Sequence, residues 1–263
     1  MELICRSTSS SPGGEKPNED SIGFGSSSAW VIDGATQVVA STPLDSATEA
    51  SWLVPRISEA LSFASSSSIT ASQALIYAAE KLAELLEGED LTQVDTPPVA
   101  SVGVASLVGR ALEVATVGDV TILVRAAGGE ISRVFNDSFL ENERKGVEDE
   151  HDVEHGIMKR RRSYISGTGR ATVLTGNPAV VERLALCQAH VATAGMDVII
   201  ASDGLMRLVD VYDILTTCEL FDLVVNEGSY RAVALLREHE VLTREDALYK
   251  RADDAAVLHA RVY

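Results

Sequence analysis

Four aspartates at the ends of apolar runs are the residues best placed to do chemistry. Asp33 ends Trp30-Val31-Ile32, Asp119 follows Val117-Gly118, Asp203 follows Ile199-Ile200-Ala201-Ser202, and Asp253 stands with Asp254 just before Ala255-Ala256-Val257. Carboxylates gathered in one place repel one another and hold their protons unless cations neutralise them. The chemistry they suggest is therefore divalent-cation binding through hard oxygen ligands. Asp33 and Asp203 lie at strand C-termini, Asp253 at a strand N-terminus and Asp119 in a hairpin turn, so antiparallel pairing is expected to bring all four to one edge. Glycine after Asp33 and Asp203 lets backbone approach an ion, and the Gly34 carbonyl is itself a suitable ligand. Taken singly, each aspartate also reads as a turn former, and the pattern alone names no reaction.

The elements that must position these residues are legible in the periodicity. Short strands are expected around Leu3 to Arg6, Ser21 to Phe24 and Ala29 to Ile32, broken by Gly and Pro. From Ser46 the apolar spacing turns helical through Ala50, Leu53, Val54, Ile57, Leu61 and Ala64, and again through Ala71, Ala74, Leu75, Ala78, Leu82 and Leu85. Capping boxes are expected at Ser46-x-x-Glu49 and Thr70-x-x-Gln73. Val99 to Val108, Ala111 to Val117, Val120 to Ala126 and Glu130 to Phe135 read as an antiparallel meander joined by hairpins at Gly109-Arg110, Gly118-Asp119 and 127–129. Asn136 to Arg162 is strongly charged and reads as surface helix or mobile loop. A buried strand over Asp197 to Ser202, helices within Leu205 to Thr243 and a closing strand over Ala255 to Val262 complete one α+β domain spanning 1–263.

Composition narrows the function. The 263 residues carry 39 acidic and 22 basic side chains, a formal charge of -17, and are 46% apolar, enough for a substantial core. Such an acidic surface argues against nucleic acid as a partner, because that affinity depends on Lys and Arg displacing condensed counterions. Cys5, Cys187 and Cys218 form no CxxC pair and suggest neither a disulfide framework nor a zinc knuckle. No signal-peptide pattern and no apolar run of about 20 residues is visible, so a cytoplasmic chain with no membrane contact is expected.

The ordered set Pro17-Asn18-Glu19-Asp20, Val31-Ile32-Asp33-Gly34, Val117-Gly118-Asp119, Ala201-Ser202-Asp203-Gly204 and Asp253-Asp254 resembles the metal-dependent type 2C serine/threonine protein phosphatases (the PPM family) in their compact bacterial form. The resemblance runs from near Arg6 to Tyr263. It implies a central antiparallel β-sandwich flanked by helix pairs, an α-β-β-α four-layer fold, with two Mn2+ or Mg2+ ions in a cleft at the sheet ends. It further implies that Asp33 bridges both ions, that Asp203 and Asp253 complete the first, and that the Gly34 carbonyl helps hold the second. Glu19 and Asp20 match an acidic pair acting through metal-bound waters, and Asp119 with Asp203 matches the site of a weaker third ion. The implied reaction is hydrolysis of phosphoserine and phosphothreonine monoesters by a metal-bridging hydroxide, with phosphoprotein substrates and a cognate kinase as partners.

Two departures from the family pattern bear on the chemistry. The usual phosphate-gripping arginine is replaced by Lys16, a point charge without a fork, with Arg6 as an alternative. Ala35, Thr36 and Gln37 follow Asp33-Gly34 where many relatives carry a histidine, so slow turnover on phosphoserine is expected. The competing functions are a non-catalytic phosphoprotein-binding scaffold of the same fold and a small-molecule phosphomonoesterase. His151 and His155 read as a solvated helix face rather than metal ligands, and Lys159 to Arg162 as a solvated run or part of a flap. Ser166-Gly167-Thr168-Gly169 lacks a dinucleotide fingerprint, and Cys187 and Cys218 are expected to pack in apolar surroundings.

Overall fold

Strands buried on both faces need apolar residues at every position, and the resulting runs organise the molecule into two sheets back to back. A computed structural model describes residues 1–14, 17–35, 44–89, 96–126, 128–139, 153–242 and 252–263. One five-stranded sheet has the order β1 (Leu3–Ser11), β10 (Ala255–Val262), β9 (Asp197–Ala201), β6 (Thr121–Arg125) and β7 (Ile131–Val134). The other runs β2 (Asp20–Phe24), β3 (Ser28–Gly34), β4 (Ala100–Val108), β5 (Ala111–Val117) and β8 (Leu186–Val191). Neighbouring strands are antiparallel throughout both sheets.

Alternation within each strand splits the side chains between two apolar layers. In β3, Ala29 and Val31 face the other sheet, whereas Trp30 and Ile32 meet α1 (Glu49–Ser65) and α2 (Ala71–Leu86). On the opposite side, Ile199, Ala201 and Val257 pack against α5 (Asp203–Asp210), α6 (Thr217–Glu227) and α7 (Ser229–Leu242). The result is the four-layer α-β-β-α sandwich. Each fully buried Leu or Ile, such as Leu53, Ile122 or Ile200, contributes about 1.5–3 kcal/mol relative to exposure. Two further helices, α3 (Val153–Ser166) and α4 (Pro178–Leu184), lie between the sheet strands in sequence.

Several expectations are corrected. The turn at Gly118-Asp119 is a corner rather than a hairpin, because β5 and β6 belong to different sheets. Gly118 adopts φ +84 there, a Cβ on it would lie 2.1 Å from Ser101 Oγ, and Thr116 Oγ1 donates to the Val120 carbonyl at 2.8 Å. Burying Val120 between the sheets is what turns the chain across. The box opening α1 is Thr48 with Ser51, not Ser46 with Glu49. Glu49 instead joins a buried ion pair with Arg161 of α3, 2.6 Å apart, so the basic run is not uniformly solvated. Cys187 and Cys218 are exposed, the first on the outer edge strand β8 and the second in the first turn of α6. The Thr70 and Gln73 box forms as expected. His151 and the side chain of His155 lie outside the described residues.

At the end of the first sheet remote from the aspartates, Asp197 accepts from Arg261 Nε and Nη2 at 2.7 and 2.8 Å and lies 2.7 Å from His259 Nε2. Burial on its own would raise its pKa, but these bonds outweigh burial and hold it at about 2, below the ordinary 3.8. A lowered carboxylate stabilises the fold above its unfolded pKa and ceases to do so as pH falls through the folded value. Asp197→Asn is therefore expected to cost about 2 kcal/mol in urea titrations at neutral pH. The gap between variant and wild type should close as pH falls from about 4 to about 2.

Candidate functional site

The sandwich delivers acids to one edge from both sheets. In the β2–β3 ladder Asp20 stands directly opposite Asp33, which in turn faces Ser101 of β4. Directly opposed residues in an antiparallel pair point to the same face with Cβ atoms about 5 Å apart, an arrangement unfavourable for two like charges. Asp119 enters from the corner after β5. From the other sheet, Asp203 opens α5 directly after β9, and Asp253 and Asp254 lead into β10. A carboxylate in the first turn of a helix is favoured by the exposed backbone N–H groups there.

These carboxylates lie near enough to act on one another. The Asp33 pKa is pushed well above the usual carboxylate range, first by burial and then by repulsion from Asp20, Asp203, Asp119 and Asp253. Asp20 is likewise raised, chiefly by burial; the Ser202 hydrogen bond opposes this, while Asp203, Asp254 and Asp253 add repulsion. Both side chains keep some solvent contact. Ser202 braces the edge: its Oγ donates to Asp20 Oδ2 at 2.8 Å and accepts from the Ala256 N–H at 2.9 Å. The Gly34 N–H donates to the Glu19 carbonyl at 3.2 Å.

This donor set fits a divalent cation. All its donor atoms are oxygen, as hard ions prefer, and a cation would offset the burial and the mutual repulsion that raise the Asp20 and Asp33 pKa values. Among the described residues no group of three or more His, Cys, Asp or Glu side chains is arranged as a metal-holding set. The fit accordingly rests on donor chemistry and shared repulsion.

Asp33, Asp119, Asp203 and Asp253 thus meet at one edge together with Asp20, and Glu19 and Gly34 border it. Arg6 does not reach them. It is the extra residue where the β1–β10 register shifts, and its guanidinium lies 5.9 Å from the Tyr263 ring centroid, at the far end of the strand pair. Lys16, Thr36 and Gln37 lie outside the described residues. Ser202 was not singled out from the sequence, where it reads as the last residue of the expected Asp197 to Ser202 strand. Phe135, Phe139, Met206 and Arg207 also went unread; they line a cleft beside Asp119 and Asp203. A larger cleft of about 510 Å3 lies at the remote end, beside Arg125, Gly195 and Arg261. Its arginines are already paired, with Asp222 and Asp197.

No family model matches the sequence, and no curated protein matches it. Solved structures do. Over 99% of its length the chain is similar to the catalytic domain of the serine/threonine protein phosphatase PstP in complex with two manganese ions, with 17% identity, 98% of that chain covered and a TM-score of 0.62. PppA, described as a key regulatory component of the T6SS in Pseudomonas aeruginosa, matches with 17% identity over 100% of this chain and 99% of its own, at a TM-score of 0.63. RsbX in complex with magnesium matches with 12% identity over 100% and 96%, at 0.56.

Proposed function

We propose that this chain, which has the fold of the PPM serine/threonine phosphatases, works as one domain over 1–263: a Mn2+- or Mg2+-dependent phosphatase of phosphoserine and phosphothreonine in proteins. The observation that carries this reading is the convergence of aspartates from both sheets on a single edge, with Asp33 at its electrostatic centre. Proteins of the same fold crystallised with manganese or magnesium support it.

In this reading Asp33, Asp203, Asp253 and the Gly34 carbonyl would hold two divalent ions, Asp119 with Asp203 would hold a weaker third, and Glu19 and Asp20 would act through waters around them. Ions held there would supply Lewis acidity, activating water for attack on phosphorus and offsetting charge on the phosphoryl oxygens. The protein's own part is to hold that geometry: the β2–β3 register aligns Asp20 with Asp33, and Ser202 fixes Asp20. Lys16 supplies a positive charge for the substrate phosphate. Ala35 offers no proton to a departing alkoxide, so aryl phosphates should turn over faster than phosphoserine. Phosphorylated proteins are the proposed substrates, a cognate kinase the proposed partner and the cytoplasm the proposed compartment. No helix among the described residues is long and apolar enough to cross a membrane.

The purified chain should hydrolyse an aryl phosphate when Mn2+ is supplied. Chelator should abolish turnover, and Asp203→Asn should reduce it about a hundredfold or more, as for other groups that stabilise transition-state charge. Full activity after either treatment would rule out the mechanism. Gly204 offers a steric test, since a Cβ there would lie 1.9 Å from the Asp254 carbonyl oxygen. Gly204→Ala must displace either α5 or the Asp253-Asp254 segment. Calorimetry should then show Mn2+ affinity lowered about tenfold or more.

A further inference from the structure

We propose that Asp254, the second acid of the Asp253-Asp254 pair, is a positioning residue that latches the two sheets together at the acidic edge. Both of its oxygens are taken by backbone. The Gly13 N–H donates to Oδ1 at 2.7 Å and the Glu19 N–H to Oδ2 at 2.6 Å. The chain of bonds continues from the Glu19 carbonyl to the Gly34 N–H at 3.2 Å. One side chain on the lead-in to β10 therefore reaches, through Glu19, the residue next to Asp33 at the end of β3 in the other sheet.

The surrounding backbone leaves this latch little freedom. A Cβ at Gly13 would lie 2.4 Å from the Asp253 carbonyl carbon, so the segment after β1 rests directly on the Asp253 backbone. Arg237 of α7 donates through Nη2 to the Asp253 and Ser11 carbonyls, both at 2.8 Å, anchoring the same segment from outside. Two N–H donors converging on one side chain call for two acceptors. A carboxylate supplies both, whereas an amide would turn its NH2 toward one of them. Charge-assisted bonds of this kind are also roughly twice as strong as neutral ones. The adjacent aspartates thus divide the work: Asp253 faces the cluster, while Asp254 is spent on backbone and holds Glu19, Asp20 and Gly34 in place.

The consequence for cations rests on the metal reading above, so the test separates the two. In chelator, hydrogen exchange followed by NMR on the full chain should find the Gly13 and Glu19 amides protected in the wild type. In Asp254→Asn at least one of them should exchange about tenfold faster or more. Wild-type amides that exchange as fast as an open loop would overturn the latch, whether or not the variant folds. With Mn2+ added, Asp254→Asn should raise the concentration for half-saturation about tenfold, as loss of a group that orients ligands does. Its kcat on aryl phosphate at saturating Mn2+ should stay close to wild type, a split that general unfolding would not produce. Lost protection with unchanged Mn2+ affinity would overturn the positioning role. Protected amides in a wild type that binds no Mn2+ would support the latch and remove the metal reading.

Discussion

Asp33→Asn is expected to lower the proposed phosphatase activity about a thousandfold, the upper end of what removing a single charge-stabilising group costs. The reason is its place at the centre of the cluster, where one carboxylate would serve both ions. Calorimetry should detect the loss as Mn2+ binding that vanishes or weakens at both steps, and an unchanged titration would contradict the assignment. The same substitution should act oppositely on the metal-free protein. Burial and four neighbouring acids raise the Asp33 pKa, so the folded state holds this proton more tightly than the unfolded chain does. Such a group contributes stability below its unfolded pKa and loses it as pH rises through the raised folded value. In chelator at neutral pH, Asn at position 33 should therefore melt higher than Asp, whereas with saturating Mn2+ the order should reverse. Thermal melts in both conditions check the crossing.

Arg161→Ala, remote from the acids, is expected to cost about 3–5 kcal/mol of stability. The Arg161 and Glu49 side chains are 7% and 4% exposed, and Arg161 Nη2 also donates to the Pro97 carbonyl at 3.1 Å. Truncating the arginine takes the ion pair from a buried carboxylate in the first turn of α1. Replacing both partners with apolar residues, Arg161→Met with Glu49→Leu, should recover most of the loss, because the desolvation cost disappears with the charges. Urea titration of the single and double variants decides the matter, and a single variant as stable as wild type would remove the pair from the stability account. A kinetic effect should follow. A Cβ at Gly34 would come within 2.7 Å of Ala50 Cβ, so α1 rests on the backbone beside Asp33, and slackening its first turn should raise the Mn2+ requirement.

The elements buried on both faces were the easiest to read. β3, β9 and β10 are continuous apolar runs because each side meets a packed layer, and the aspartates at their ends stood out against that background. The Gly118-Asp119 corner was not legible. A two-residue connection looks the same whether the next strand pairs back or crosses to another sheet, and the burial of Val120 decides between them. β8 went unread because an edge strand with most of its side chains in solvent, Leu186 to Val191, has no alternation to detect. Arg161 was hidden in a run of like charges whose members point different ways around a helix. The α1 box slipped by two residues because Glu49, the apparent capping acid, is claimed by a tertiary partner. At the site, the ligand-type residues were visible from sequence, but the groups that brace them, Ser202 and Asp254, were not. Their role depends on which backbone N–H lies opposite, and only tertiary structure supplies that.

The position of β10 has a consequence for biosynthesis. This strand lies between β1 and β9 although it comes after both in the chain, so on the ribosome its two neighbours wait with open hydrogen-bonding edges until residues 255–262 have emerged. Non-local pairing of that kind slows folding. Because Asp253 arrives with β10, a nascent chain that stops short of this strand would lack one side of the acidic edge.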